Sequence, residues 1–396
     1  MTRSDKGSDL IPEPIFDDGP FPHFQKSIGL FRPVGVRVTD RVVFVVILGW
    51  LVLAILVIVD GFDRSGVVKS FFFDVAVHAR SLIAAPLFIV AESLSLPRLE
   101  KIARNFISAG IVTEKDHGRF LQAVASTRRL INSSIAEGVA IFLAYSVAFP
   151  VIRYAPQSSL LAAWYTPHHL GYSPFSLAGW WQVLVSLPLL LILFFGWLWR
   201  AILWGRFLVK LSLLDLELIA AHPDGAAGLK FIANTMFAFM PVAFSLGVIV
   251  SGALANRVIN VNLTLSGFRQ PLFGLVIFVL FLFVSPLLVF CKTLFTARRL
   301  GIMRYGALAN RVGHQFELKW LDQEETINAS ALEAPDFSST TDLYQIVSNV
   351  HQITGVPFDL RSLIGLVAIT LLPVVPVALL TVPLSVVVTE VLKILL

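Results

Sequence analysis

Seven stretches of this chain are too long and too apolar to fold in water, and they constrain everything else about it. A helix crosses the hydrocarbon core of a bilayer with about 20 mostly apolar residues, each rising about 1.5 Å. Six runs meet that length: Val42 to Val59, Ser70 to Ala91, Ser133 to Ile152, Trp180 to Trp199, Ile232 to Leu254 and Leu272 to Phe290. A seventh, Leu363 to Leu380, contains Pro373 and Pro376, which a spanning helix tolerates where its neighbours satisfy the freed carbonyls. The composition agrees, with 56% hydrophobic and 14% charged residues against roughly 45–50% and 25% in soluble domains. The expected fold class is an all-α, polytopic transmembrane helix bundle of about seven spans with cytoplasmic helical segments.

The basic residues set the expected orientation, because Lys and Arg in short loops stay on the cytoplasmic side. With the N-terminus inside, 24 of the 31 Lys and Arg fall on the cytoplasmic side and five outside. The chain then divides into a cytoplasmic tail over 1–41, a six-span bundle over 42–292 with a cytoplasmic helix pair at 93–132, a cytoplasmic helical segment over 293–361, and a last span with an interfacial tail over 362–396. Trp164, Tyr165, Tyr172, Trp180 and Trp181 fall at the outer boundary, where amphipathic rings prefer to sit. The net charge of +5 matches cytoplasmic loops facing anionic lipid rather than nucleic acid.

The cytoplasmic segments carry their own helix signals. Pro97 reads as a first helical residue, Gly110 as a stop and Thr113 with Asp116 as an N-cap pair. Ile302, Tyr305, Ala309, Val312, Phe316 and Trp320 recur every three or four residues and form one apolar face, a candidate surface for a protein partner. A short helix is expected over Thr341 to Ile353, and Asp359 is placed to cap the last span.

No GxSxG, HExxH, GxxxxGK, GxGxxG or CxxC pattern occurs, which weighs against the common enzyme classes. The lone Cys291 supports neither a disulfide nor a zinc site, and the adjacent His168 and His169 lack a nearby acid, so no metal or other cofactor is expected. Candidate chemistry lies in polar residues within or beside the spans. Asp74 and His78 are four residues apart on one face of the second span, and Arg80 lies elsewhere on the same helix. A span starting near Ser70 puts Arg80 close to the midplane, where a charge costs about 2.5–3.5 kcal/mol and needs a partner or a wet cavity. Glu137, entering the third span, is the candidate partner, and Glu92 is a further acid in the second run. Before the fifth span, His222-Pro-Asp224-Gly225-Ala-Ala-Gly228 could leave backbone amides open to an anion or a lipid head group; the alternative is a capped turn. Ala243, Gly247, Ser251 and Ala255 recur every four residues and invite close helix approach.

The stretches His78-Ala-Arg80-Ser-Leu82-Ile-Ala-Ala-Pro86-Leu87 with Ala91-Glu92, His222 to Leu229, Tyr305-Gly-Ala-Leu-Ala309 with Lys319-Trp320, and Pro357-Phe-Asp-Leu360 resemble those of a group of uncharacterised bacterial multi-pass inner-membrane proteins. In that group the turn reads like H-P-D-x-x-G-G-L, whereas Ala227 stands here at the first glycine of the pair. The resemblance implies a bacterial inner-membrane location and carries no activity, substrate or cofactor with it. The leading functional expectation is passage of a small solute or ion along a polar path near Asp74, His78 and Arg80. An assembly scaffold is the alternative, and a lipid- or sugar-modifying membrane enzyme is third.

Overall fold

The computed structural model describes residue 15 and residues 38–62, 65–154, 162–166, 174–261, 265–321 and 336–381. The N-terminal tail apart from Ile15, the pair His168 and His169, Tyr172, and the C-terminal tail with Glu390 and Lys393 lie outside the described residues. The described chain is a bundle of helices: α1 (Val38–Asp60), α2 (Ser65–Phe72), α3 (Val75–Ser108), α4 (His117–Ile131), α5 (Ser134–Tyr154), α6 (Leu177–Ser212), α7 (Asn234–Val261), α8 (Arg269–Trp320), α9 (Asp336–His351) and α10 (Leu360–Thr381). Six are long and apolar enough to cross a membrane, and α4 with α5, bent by 47° at their junction, make a seventh candidate. This is a multi-pass membrane protein.

Side-chain caps set several helix starts. Asp74 accepts from the Val77 amide, Ser176 from Gly179 and Asp359 from Ser362. The Asp74 cap changes the expected second span: the run from Ser70 is broken after α2, and the spanning helix begins at Val75. Arg80 thus lies about 8 Å from the helix start, nearer to it than a span starting at Ser70 would put it. Two further boundaries differ. Pro97 lies inside α3, which continues to Ser108, so the first arm of the expected 93–132 helix pair is an extension of a span. Likewise α6 runs unbroken to Ser212, which puts Arg200, Arg206 and Lys210 on a helix instead of in a loop. Gly110 does end α3, with a left-handed φ of 68° that glycine adopts without penalty.

The extended ends of α3, α6 and α8, together with α4 and the 213–229 connection, pack into a layer at one end of the bundle. Phe106 meets Phe231 and Phe290 there, and Phe120 meets Phe207, all within the main hydrophobic core. Asp116 does not cap α4 with its side chain; it accepts the Asp215 amide at 2.7 Å, beside the Val112–Leu216 bridge. Ile15 is fully buried and donates its amide to Glu100, which ties one point of the tail to this layer. Of the Ile302 to Trp320 stripe, α9 half-buries the face, through Val350 near Ile302 and Tyr305 and through Phe337 against Phe316 and Trp320.

The four-residue repeat of small side chains on α7 works as expected. Ser251 donates to the Pro373 carbonyl, and the backbone of α10 crosses directly over Gly247. A Cβ on Gly247 would lie 2.1 Å from the Thr370 carbonyl oxygen, so α7 and α10 would have to separate. Gly247→Ala should cost about 1–3 kcal/mol through overpacking, read as a lower Tm in detergent. Gly138→Ala, whose Cβ meets nothing within 4 Å, should leave Tm unchanged and serves as the control.

Candidate functional site

Asp74 and His78 share a helix face yet do not meet. Asp74 accepts from the Trp164 indole at 3.1 Å, the Asn256 amide at 2.6 Å and the Val77 backbone at 3.2 Å, so both carboxylate oxygens are occupied. His78 Nδ1 accepts from the Trp50 indole at 2.8 Å. An indole N–H can only donate, so the ring proton is on Nε2, which donates to the Phe71 and Phe72 carbonyls. Both side chains are committed to closing this end of the bundle.

Arg80 donates from Nε to the Ala76 carbonyl at 3.1 Å and lies beside the Tyr165 hydroxyl. Among the described residues it makes no ion pair, and the expected Glu137 partner is at a different depth. The Tyr145 hydroxyl on α5 bonds the Leu184 carbonyl on α6 near Arg80's level, which puts Glu137, two turns back along α5, about 12 Å further towards the layered end. Glu137 is buried in the first turn of α5.

Arg80 instead belongs to a feature that the sequence did not reveal. Three spans each contain one π-helical turn: Ile47–Leu51 in α1, Ala79–Ala84 in α3 and Gln182–Ser186 in α6. Their amides bond five residues back, Val52 to Ile47, Ala85 to Arg80 and Leu187 to Gln182. Such turns are rare and recur at functional sites. Side chains from other turns take up carbonyls within two of them, Trp181 bonding Leu48 at 3.0 Å and Tyr145 bonding Leu184 at 3.1 Å. The three turns converge on a cavity of about 10 Å³ lined by Gly49, Arg80, Ser81, Gln182 and Ser186 among others. Gln182 and Ser186 are 4% and 6% exposed, and Gln182 Oε1 and Ser186 Oγ have no hydrogen-bond partner.

Eleven residues along α3 from Ser81, about 16 Å further, Glu92 occupies the opposite end of the same three-helix seam. Its Oε2 is 2.6 Å from Arg41 on α1 and its Oε1 is 3.4 Å from Arg200 on α6. Arg200 is 2% exposed, lies over the Trp197 ring, and has no aligned hydrogen bond at any guanidinium nitrogen. Val45, Ala85 and Leu190 form the apolar part of the cavity wall, and between the cavity and this cluster Phe88, Leu193 and Trp197 are all buried, with the Trp197 indole bonding the Phe88 carbonyl at 2.8 Å. Glu92 was a sequence candidate, but Arg200, Gln182 and Ser186 were missed. The signal for Arg200 was present: Trp197, Ala201, Trp204, Leu208 and Leu211 continue the helical period through it.

The 222–230 turn is not an open anion site. Asp224 itself accepts from the amides of Ala226 and Gly228 through Oδ1 and of Lys230 through Oδ2. Desolvation pushes its carboxyl up, but these amides and His222 outweigh it and hold it below the usual carboxylate range. Gly225 and Gly228 take left-handed φ values of 67° and 94°, and so does Ala227 at 53°. A methyl there carries strain of about 1–2 kcal/mol, which explains why a glycine suits that position.

No protein-family model, curated protein or solved structure matches this chain, so the functional reading rests on its own geometry. The ionic cluster yields a direct test. Glu92→Gln leaves Arg41 and Arg200 facing each other and should cost about 3–5 kcal/mol, while Arg41→Gln, at the more exposed partner, should cost less. Adding Arg200→Gln to Glu92→Gln should recover part of the loss in chemical denaturation; strictly additive losses would contradict the shared pairing.

Proposed function

We propose that this protein passes a small ion or solute through the seam between α1, α3 and α6, and that it sits in a bacterial inner membrane with the layered end in the cytoplasm. The supporting observation is the arrangement of that seam: a polar cavity at one end, an ionic cluster at the other, and an apolar layer between. Apolar constrictions close pores by excluding water, and small changes in helix packing rewet them. The path differs from the one expected near Asp74 and His78, because those two residues are fully bonded and only Arg80 faces the seam. The excess of basic residues in the segments of the layered end supports the orientation.

The layer is the point of control in this reading. Leu193→Ser adds a hydroxyl to it without adding charge and should raise solute flux by about tenfold, each 1.4 kcal/mol off a barrier being worth that factor. Flux is measured in proteoliposomes with a panel of small anions and cations. Absence of flux above empty vesicles for every probe, in both wild type and Leu193→Ser, would overturn the proposal.

A further inference from the structure

We infer that the cavity at the three π-helical turns binds a single small monovalent anion of the halide type. The inference names the ligand of the proposed path and rests on that reading. Size is the first constraint. A cavity of about 10 Å³ holds about one water-sized centre, which excludes carboxylates, phosphates and sugars.

Charge is the second. Among the described residues lining the cavity, Arg80 is the one ionised group. The nearest acid, Asp74, caps that helix outside the cavity lining and holds its charge among the neutral donors of Trp164, Asn256 and Val77, and Glu92 lies at the other end of the seam with two arginines. The seam carries Arg41 and Arg200 against Glu92 at one end and Arg80 at the other, an excess of positive charge at both ends.

Donor chemistry is the third. The guanidinium only donates, the hydroxyls of Ser81 and Ser186 can turn their hydrogens inward, and the Gln182 amide can present its NH2. A cation would require carboxylate or several carbonyl oxygens, and the lining offers the Gln182 oxygen beside a guanidinium that repels it. Buried polar atoms are rarely orphaned, so Gln182 Oε1 and Ser186 Oγ, on side chains more than nine-tenths buried and without partners among the described residues, call for an occupant; an anion is served once the Gln182 amide is turned to bring its NH2 to that place. A bound water is the rival occupant.

Halide binding to the purified full chain in nanodiscs, followed by chloride-35 NMR line broadening with bromide competition, separates the two. Saturable broadening is expected in wild type. Gly49→Ala fills the cavity with a methyl that meets Leu189 and Ser81 at ordinary distances of 3.9 and 4.0 Å, so the bundle should fold as before while halide affinity falls at least tenfold. Arg80→Gln should weaken binding to the same degree. Absence of saturable broadening, or broadening indifferent to Gly49→Ala, would overturn the inference and assign the cavity to water. The proposed path fails separately: halide binding with no flux of any probe leaves the site and removes the path, whereas flux without halide binding does the reverse.

Discussion

Glu92 sits where three spans meet, and both cations around it are on helices other than its own. A carboxylate in so dry a setting is tolerated only when its charge is met at contact distance, and the same holds for Arg200. Because Arg41 is on α1 and Arg200 on α6, satisfying Glu92 fixes the mutual rotation and depth of all three helices. Once α3 is so placed, its opposite end brings Arg80 and Ser81 to the other two π-helical turns. The polar cavity is in this sense a consequence of the ionic cluster about 16 Å away. One acid serving two arginines also leaves Arg200 short of hydrogen bonds, a deficit that its stacking on Trp197 only partly offsets.

Backbone satisfaction imposes the second constraint. In hydrocarbon a carbonyl released from the helical ladder has no water to turn to. Trp181 and Tyr145 answer this at Leu48 and Leu184, each reaching from a neighbouring helix. Asp74 and His78 belong to the same economy of hydrogen bonds: with Trp164, Asn256 and Trp50 they close the bundle end that α2 and the 162–166 segment cover. Their polarity is a structural requirement of a helix that begins inside a crowded aromatic shell, where Phe71 packs edge to face with both Trp164 and His78.

Hydropathy made the spans legible, since burial in lipid leaves long apolar runs whatever the function. The small-residue stripe on α7, the Gly110 stop and the Asp359 cap were legible for equally local reasons. The site was legible only in part. Arg80 and Glu92 stood out as charges in or beside an apolar run, but the partners of Glu92 came from other helices, and no spacing rule links it to Arg41 or Arg200. Arg200 was lost because a hydropathy window ends at the first charge, even when the helix does not. The start of α3 was misplaced because Phe71 to Val77 reads as continuous apolar sequence, while Asp74 caps a new helix there. The π-helical turns leave no sequence signature at all, being set by tertiary packing.

The proposed path requires a seam that water reaches at its polar end and not in its apolar middle. Water-edited solid-state NMR of the protein in lipid bilayers reads this directly, as the rate at which magnetisation passes from water to each side chain. Rapid transfer is predicted at the Gln182 amide and the Arg80 guanidinium, with transfer to Leu193 and Phe88 several times slower. Transfer to Gln182 as slow as to Leu193 would mean a dry bundle throughout, and the seam would then be packing rather than a path.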